Sequence, residues 1–299
     1  PGKPIAKILD KPMIIWVYEG AYKVISKFPN SKVVIVTDDQ RIEEMQMDEV
    51  VNLSKITYSD SGVNVDLANQ TVKEIKELVK STQTPQVIPN FGHFSGMVTL
   101  GDQIIASTMD GIGTKVQCIL WMIDQMCHNQ SQSGTMSDQE VDQLRINARL
   151  LAFESMGHDI FNNNIGDLIC VARRVNPLYF MDYFSTQALD AQELLAFVKG
   201  VTDECLASGY PLLGGETAEI RDFSKSNGAS VEDNKFDNRQ HNYEMLGVIA
   251  GTIDQSRGNL YSKEDINVGD ILIGISSSGP HTNGYTLINE LLRQGRLQL

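Results

Sequence analysis

An acidic residue, two glycines and a lysine follow a short apolar run in the stretch IASTMDGIGTK. We expect a β-strand to end at Met109 and to leave Asp110 exposed at its tip. Gly111 and Gly113 allow a tight turn whose N–H groups point at an anion, and Lys115 adds a positive charge. Such a pattern suits a metal ion and a triphosphate. Because it is not the GxxxxGK[ST] of a P-loop, an ordinary strand-to-helix connection fits it equally well.

Further acidic residues could join Asp110. Asp167 lies in NNNIGDLI, where we expect a helix, and Asp159 precedes it by one or two turns. This spacing places the carboxylates of Asp159 and Asp167 on roughly one side of the helix, which favours a cation. Asp110 and Asp167 are both candidates for binding Mg²⁺. A helix cap or a surface charge is the alternative. Glu216 follows a Gly-Gly pair at the end of an expected strand, where a plain turn is the alternative.

The stretch GISSSGPHTNGY carries hydroxyl, imidazole and amide groups in front of an expected helix. Ser278, His281, Thr282 and Asn283 would suit a polar ligand held at a helix N-terminus. A helix-capping loop with an incidental histidine is equally compatible with these residues. The other four histidines show no metal-binding spacing.

The composition is that of an ordinary globular protein, because 299 residues with 41% hydrophobic content suffice for about two domains. The net charge of −13 argues against non-specific nucleic-acid binding, which needs a surplus of Lys and Arg. Apolar runs are far shorter than the roughly 18 residues of a membrane span, so we expect a cytoplasmic protein without a membrane partner. The four cysteines form no CxxC pair, which indicates reduced thiols.

The elements that would position these groups follow from hydrophobic periodicity. In residues 1–57, a helical repeat precedes a β-rich run at 32–36, and an acidic pair follows at 38–39. This order is typical of a βαβ unit, whose ligands lie beyond the strand ends. We place a boundary near Thr57, where the pattern fades.

Beyond Thr57 the periodicity predicts alternating helices and strands. Helices are expected at residues 64–80, 116–127, 146–161, 190–208 and 286–294, strands at 177–185, 210–215, 243–253 and 270–278, and a surface insertion at 131–144. The strand at 210–215 is expected to be short and buried. Residues 224–243 are polar and lack periodicity, which predicts a linker or a long loop before a second domain.

Five segments together resemble phosphoribosylformylglycinamidine cyclo-ligase, also called aminoimidazole ribonucleotide synthetase. They are residues 57–69 (TYSDSGVNVDLAN), 107–115 (STMDGIGTK), 177–186 (PLYFMDYFST), 209–219 (GYPLLGGETAE) and 276–285 (SSSGPHTNGY). The resemblance extends over residues 57–299. MDGIGTK alone would indicate only a superfamily that includes selenophosphate synthetase and thiamine phosphate kinase, whereas GGETAE together with SSGPHTNGY is specific to the cyclo-ligase.

The resemblance implies an enzyme of purine synthesis that uses ATP and Mg²⁺ to close the imidazole ring of formylglycinamidine ribonucleotide. It implies Mg²⁺ at Asp110 and Asp167, and a catalytic set that also includes Lys115 and His281. The residues implied to contact the nucleotide are Asp110, Gly111, Gly113, Thr114, Lys115, Asp167, Glu216 and Asn283. The resemblance further implies a homodimer that forms through the sheets of the N-terminal domains.

The implied fold is α+β to α/β, with the two domains of an aminoimidazole ribonucleotide synthetase. We assign residues 58–223 to a mixed-sheet ATP-binding domain, 224–243 to a linker or long loop, and 244–299 to a truncated C-terminal α/β domain. The preceding βαβ-like fragment, residues 1–57, contains PGKPIAKILDKPMIIWVYEGA and VVIVTDD. Its first 50 residues resemble the start of 3-deoxy-manno-octulosonate cytidylyltransferase, whose CTP-binding loop normally precedes PGKP, so we expect no transferase activity.

This chain departs from the cyclo-ligase pattern at polar positions. Ser59 stands where the family usually has Lys, and Gly166 stands where it has Asn directly before the Asp167 equivalent. The glycine-rich loop is reduced to NFGHFSG. Three other functions therefore stay open, namely another phosphotransferase of the superfamily, a non-catalytic ATP-binding or assembly module, and a sugar cytidylyltransferase.

Overall fold

The computed structural model describes residues 7–8, 11–12, 35–37, 50–52, 65–88, 94–220, 242–254, 260–261, 266–271, 273–274 and 279–294. These residues belong to two compact units. The first is drawn from Pro1–Val72 and Asn267–His281, and the second from Lys73–Ile266 and Thr282–Leu299. The second unit holds most of the described chain.

The first unit contains two short strand pairs. Lys7–Ile8 (β1) pairs antiparallel with Lys11–Pro12 (β2), and Ile35–Thr37 (β3) pairs in parallel with Val50–Asn52 (β4). Parallel neighbours need a crossover connection, which here lies between residues 37 and 50, whereas the βαβ unit expected from the sequence has its helix before β3 and stays a prediction. The predicted helical repeat before β3 and the acidic pair at 38–39 lie outside the described residues.

Val65–Ser81 (α1) is the amphipathic helix expected at residues 64–80. Its apolar stripe, however, is exposed at Val72, Ile75 and Leu78. The 3.6-residue period predicts a helix correctly, but it does not by itself show that the apolar side is covered.

A mixed five-stranded sheet forms the centre of the second unit. Its strands are Gly96–Leu100 (β5), Gln103–Gly111 (β6), Asn176–Thr186 (β7), Leu212–Glu219 (β8) and Tyr243–Asp254 (β9). Their order across the sheet is β5-β6-β9-β7-β8, in which β7 and β8 are parallel and all other neighbours are antiparallel. The central strand, β9, is therefore the last of these five along the chain.

Four helices accompany the sheet in the described part of this unit: Lys115–Ser133 (α2), Asp138–Ile169 (α3), Ala191–Ser208 (α4) and Tyr285–Arg293 (α5). α3 packs on β6 and β9, with α2 and α4 beside it. Ser137 and Glu140 form a capping box at the start of α3, and Asp190 caps α4 as predicted. The largest buried side chains of the core are Phe153, Phe161, Phe180, Phe184 and Phe197.

The sheet has one covered face and one open face. Successive side chains of a strand point to opposite faces, so Ile104 and Ala106 are buried under the helices while Met109 is 64% exposed. The same alternation places Asp110 on the covered face. Among the described residues, the open face carries polar side chains such as Ser107, Thr252 and Glu216 together with apolar side chains from four strands. The apolar ones are Val98, Leu100, Ile105, Met109, Met181, Leu246 and Val248.

Several predicted boundaries differ from the structure. β6 does not end at Met109, because Asp110 and Gly111 still pair with Gly247 and Leu246 of β9. Residues 131–144 are not a surface insertion. They comprise the end of α2, a short turn and the start of α3, since polar side chains on exposed helix ends resemble loop composition.

β8 was expected to be short and buried, and this expectation is wrong. The strand continues past Glu216 to Glu219 and is mostly exposed, because it is an edge strand with a neighbour on one side. Within the part of segment 270–278 that the structure describes, residues 270, 271, 273 and 274 are not in a strand.

The predicted strand at 243–253 does form, but not in a second domain. As β9 it lies between β6 and β7 in the same sheet, so a second domain cannot begin at residue 244. The expected linker at 224–243 lies almost entirely outside the described residues, and the other domain limits stay predictions. Among the described residues, no helix has the length and apolar character needed to cross a membrane.

Candidate functional site

Asp110 lies near the end of β6 and is held there by α3. Its backbone N–H donates to Asn164 Oδ1 at 3.0 Å, and Asn164 Nδ2 donates to the Asp110 carbonyl oxygen at 3.3 Å and to Ile160 O at 2.8 Å. Asn164 is fully buried. A buried amide must satisfy its polar atoms inside the protein, so this side chain fixes the backbone of Asp110 relative to the helix.

The carboxylate of Asp110 has two hydrogen-bond donors. The Gly111 N–H donates to Oδ1 at 2.7 Å, and Asn163 Nδ2 donates to Oδ2 at 2.8 Å. Asn163 also accepts a hydrogen bond from Thr282 Oγ1 at 2.9 Å. A continuous chain of hydrogen bonds therefore joins the end of β6, the C-terminal part of α3 and the turn before α5.

Asp167 lies one helical turn after Asn163 on the same helix and close to Asp110. Burial and the negative charge of Asp110 raise the pKa of Asp167 above its ordinary value, while a hydrogen bond with Thr108 lowers it. Ser95 Oγ donates to the Asp167 carbonyl oxygen at 3.3 Å. The structure thus brings the two predicted metal ligands together.

The chemistry of this donor set fits a hard divalent cation. Mg²⁺ prefers oxygen ligands and is commonly bound by one or two carboxylates together with substrate phosphates. Two neighbouring carboxylates repel each other, and a bound cation removes that cost. Asp110 and Asp167 therefore meet the requirement for a Mg²⁺ site that is completed by phosphate oxygens.

Lys115, the first residue of α2, is engaged with a carboxylate. Its Nζ lies 2.5 Å from Asp159 Oδ2 of α3, and the two side chains are only 12% and 24% exposed. The ammonium group also lies 5.6 Å from the centre of the Tyr285 ring. The sequence predicts that Asp159 and Asp167 face a cation together. In the structure, Asp159 instead forms an ion pair with Lys115.

The turn between β6 and α2 has the expected backbone. Gly113 has φ of 60°, a conformation that residues with a Cβ rarely adopt, and Ile112 N–H donates to Met245 O at 3.0 Å. Thr114 occupies the N-cap position without a side-chain capping bond, and the first turn of α2 has no acidic residue. No side chain of this first turn therefore competes with an anion for the first N–H groups of α2. An anion that binds at a helix N-terminus uses these N–H groups.

The turn before α5 is attached to this region through the helix that follows it. Thr286 Oγ1 lies 3.2 Å from Thr114 Oγ1, and Asn289 Nδ2 donates to Thr114 O at 3.0 Å. Asn283 is exposed and donates to Thr282 Oγ1 at 3.3 Å. His281 has φ of 51° and belongs to the first unit, so its predicted part in the site stays a prediction.

Glu216 is not near Asp110 within this unit. Gly111, Leu246, Tyr183 and Glu216 are paired in one row across the sheet, so their side chains lie on the same face. Asp110 precedes Gly111 by one residue and therefore points to the opposite face. Three strand spacings of about 4.8 Å separate β8 from β6, roughly 14 Å in all. Glu216 and Asp110 therefore lie apart within this sheet, and the implied contact of Glu216 with the nucleotide stays a prediction.

Two functional neighbours of Asp110 were missed from the sequence. Asn163 and Asn164 precede Asp167 by four and three residues, which puts them on the same side of a helix. The signal was present in the triple Asn of NNNIGDLI.

Asp182 was also missed. It faces Gly247 from β7 just as Asp110 does from β6, and burial raises its pKa.

Glu154, His158 and Asp203 form a second group of possible metal ligands among the described residues, with ligand atoms within 4.8 Å of one another. Lys199 Nζ already lies 2.6 Å from Glu154 and 2.8 Å from Asp203. A cationic side chain therefore occupies the space between these carboxylates, and His158 Nδ1 pairs with Glu204 at 2.8 Å.

Comparison with family models matches two parts of the chain. Residues 92–231 match AIR synthase related protein, N-terminal domain, and residues 1–77 match cytidylyltransferase. Both resemblances inferred from the sequence are thus confirmed. The mixed sheet with helices on one face confirms the expected combination of α and β structure.

Curated relatives carry the name phosphoribosylformylglycinamidine cyclo-ligase. The protein from Geotalea uraniireducens is 32% identical over 244 residues, which are 80% of this chain and 57% of that protein. The protein from Clostridium kluyveri is 30% identical over 240 residues, which are 79% of this chain and 59% of that protein. The chain thus spans less than two thirds of the length of these relatives.

Solved structures give weaker matches. Thiamine monophosphate kinase from Aquifex aeolicus matches with a TM-score of 0.35 and 11% identity over 64% of this chain and 44% of that chain. Phosphoribosylformylglycinamidine synthase II from Thermotoga maritima matches with a TM-score of 0.26 and 9% identity over 54% of this chain and 20% of that chain. Matches this distant are too weak to bear on function.

Proposed function

We propose that this chain, whose residues 92–231 match AIR synthase related protein, N-terminal domain, carries the Mg²⁺-ATP site of a phosphoribosylformylglycinamidine cyclo-ligase. The observation that supports this most directly is the convergence of Asp110 and Asp167 beside the glycine turn that opens α2. Identity of about 30% with cyclo-ligases over four fifths of the chain supports the reaction class.

Asp110 and Asp167 would hold Mg²⁺, which offsets phosphate charge. The Gly111, Gly113 and Thr114 turn and the first N–H groups of α2 would face the triphosphate, as helix N-termini do in many nucleotide sites. Lys115 would keep its ion pair with Asp159 and act on phosphate from a fixed position, because a buried pair costs free energy to break.

The substrates of the proposed reaction are ATP and formylglycinamidine ribonucleotide. Transfer of a phosphoryl group to the formamide oxygen makes that oxygen a leaving group. An amidine nitrogen of the same molecule then attacks the formamide carbon, loses a proton and expels phosphate. Ring closure within one molecule gains from proximity, so the protein mainly positions groups and stabilises phosphoryl charge. His281 stays a candidate catalytic residue, and Glu216 and Asn283 stay candidate nucleotide contacts.

We also infer a homodimer and a cytoplasmic location. The open face presents apolar side chains of four strands to solvent, including Met109 and Met181 at 64% and 41% exposure. A contiguous apolar surface on one side of a sheet marks an interaction site. A second copy that covers this face would leave Glu216, on the same face, near the interface rather than beside Asp110 of its own chain.

Nucleotide binding tests the proposal. A fluorescent ATP analogue should bind this chain more tightly with Mg²⁺ than without, and Asp110→Asn should weaken the Mg²⁺-dependent binding by about tenfold or more, because it removes a carboxylate ligand. Asp102→Asn is the matched control, since Asp102 lies exposed in the turn that precedes β6. Equal binding by the two variants would contradict the site.

The same assay separates the alternatives. Phosphate release from ATP that rises on addition of formylglycinamidine ribonucleotide supports the cyclo-ligase. Mg²⁺-ATP binding without release supports a binding or assembly module, and release with another acceptor supports a different phosphotransferase. Preference for CTP over ATP would support a cytidylyltransferase.

A further inference from the structure

Asn163 makes two hydrogen bonds that together connect the proposed metal ligand to another part of the chain. Its Nδ2 donates to Asp110 Oδ2 at 2.8 Å, and its Oδ1 accepts from Thr282 Oγ1 at 2.9 Å. The nitrogen of this planar amide thus donates to Asp110, while its oxygen accepts from Thr282. The side chain cannot rotate without losing at least one of these bonds.

These contacts determine the direction of the Asp110 carboxylate. Oδ1 accepts from the Gly111 N–H at 2.7 Å and Oδ2 accepts from Asn163, so each oxygen has one donor. A carboxylate oxygen has about two acceptor positions, which leaves one on each oxygen for a cation. Asn164 contributes differently, because it bonds only the backbone of Asp110 and Ile160.

Thr282 extends this connection along the chain. It lies in the turn that leads through Gly284, the N-cap residue with φ of 87°, into α5. α5 is in turn fastened to the start of α2 by Asn289 and Thr114. The orientation of Asp110 is therefore linked to the position of the turn at residues 282–284.

We propose that Asn163 is a positioning residue for the Mg²⁺-ATP site, orienting Asp110 for the metal and coupling that orientation to the turn at 282–284. This rests on the proposed function. Its role is to hold the carboxylate before Mg²⁺ binds, so its loss should weaken Mg²⁺-dependent binding and leave metal-free nucleotide binding almost unchanged.

Asn163→Leu removes both hydrogen bonds at similar volume. We expect it to weaken Mg²⁺-dependent binding of the fluorescent ATP analogue by about tenfold, the lower end of the effect of residues that orient metal ligands. Asn162→Leu is the matched control, because Asn162 is exposed and its amide bonds only His158 O of its own helix. The control should bind as the wild type does.

Thr282→Val provides a second variant on a different element. If Thr282 acts through Asn163, the double variant should lose no more Mg²⁺ affinity than Asn163→Leu alone, whereas independent effects would add. Thermal unfolding of each variant separates loss of fold from loss of orientation. A variant with an unchanged unfolding midpoint and a weakened Mg²⁺ response supports the positioning role.

Each result decides between the two proposals. Wild-type protein that shows no Mg²⁺-dependent nucleotide binding overturns the proposed function, and the role of Asn163 with it. Wild-type protein that binds, together with Asn163→Leu that retains the wild-type Mg²⁺ response, overturns only the role of Asn163. Equal weakening with and without Mg²⁺ would mean a general structural effect and would also contradict it.

Discussion

Arg149, Glu193 and Tyr243 form a closed group of hydrogen bonds at one end of the core. Arg149 Nε lies 2.6 Å from Glu193 Oε1, and the Tyr243 hydroxyl donates to Glu193 Oε2 at 2.6 Å. The group joins α3, α4 and the first residue of β9. Burial and Glu193 raise the pKa of Tyr243 to about 12, so the hydroxyl stays a donor at neutral pH.

Arg149→Met should destabilise the protein strongly. Glu193 is 5% exposed, and without the guanidinium its carboxylate would be left buried with Tyr243 as its remaining partner here. Breaking a buried ion pair in this way costs about 3–5 kcal/mol, with the lower value expected because Arg149 is partly accessible.

Arg145→Met is the matched control, because Arg145 and Asp142 are 41% and 71% exposed and such pairs contribute about 0–1 kcal/mol. Chemical denaturation measures both values. Equal losses for the two variants would mean that the buried group contributes no more than a surface pair.

Single residues of the site differ in how well the sequence predicts them. Asp110 and Asp167 lie close together, as the resemblance to the cyclo-ligase implies, and their binding of Mg²⁺ stays a prediction. Asn163 and the Lys115–Asp159 pair were not predicted. These hydrogen bonds and ion pairs depend on the angle and position at which α3 crosses β6. The hydrophobic periodicity of the sequence does not specify that crossing.

The crossing of α3 and α4 depends on two glycines that face each other. A Cβ on Gly157 would overlap the Phe197 carbonyl oxygen, and a Cβ on Gly200 would overlap that of Glu154. The two backbones are therefore in direct contact, which small residues alone permit.

Gly200→Ala should separate α3 from α4 and destabilise the protein by about 1–3 kcal/mol or more, because the clash is with backbone atoms that cannot rotate away. Gly166→Ala is the matched control in a helix interior. A Cβ there meets nothing within 4 Å, so alanine should raise stability by about 0.5–1 kcal/mol through its higher helix propensity. Denaturation that shows the same sign for both variants would contradict the close contact.

Elements with strong local signals were predicted better than their place in the sheet. The helix at 191–208 begins at its predicted cap, since Asp190 followed by an amphipathic run is a local signal. A long polar segment precedes β9 in the sequence, which predicts that this strand belongs to a second domain. Its position between β6 and β7 depends on pairing with strands more than 50 residues earlier, which local patterns do not encode.

In the described part of the second unit, the helices lie on one side of the sheet, and the other side carries a group of exposed apolar side chains. Sheets of this kind bury both faces in stable proteins, or else leave a polar one to solvent. Here the uncovered side carries Val98, Met109 and Met181 instead. A second copy of the chain would cover these side chains with an identical surface, which a two-fold dimer requires.

Met181→Lys should therefore convert a dimer into a monomer. A lysine at the centre of an apolar interface must be desolvated, and losses of about 2 kcal/mol or more at such central positions correspond to roughly a thirtyfold weaker dimer. Leu195→Lys is the matched control, because Leu195 is 69% exposed on α4, away from the open face. Sedimentation equilibrium should show a wild-type and control dimer and a Met181→Lys monomer at the same concentration. A wild-type monomer, or equal dissociation of both variants, would contradict a dimer that forms through the open face.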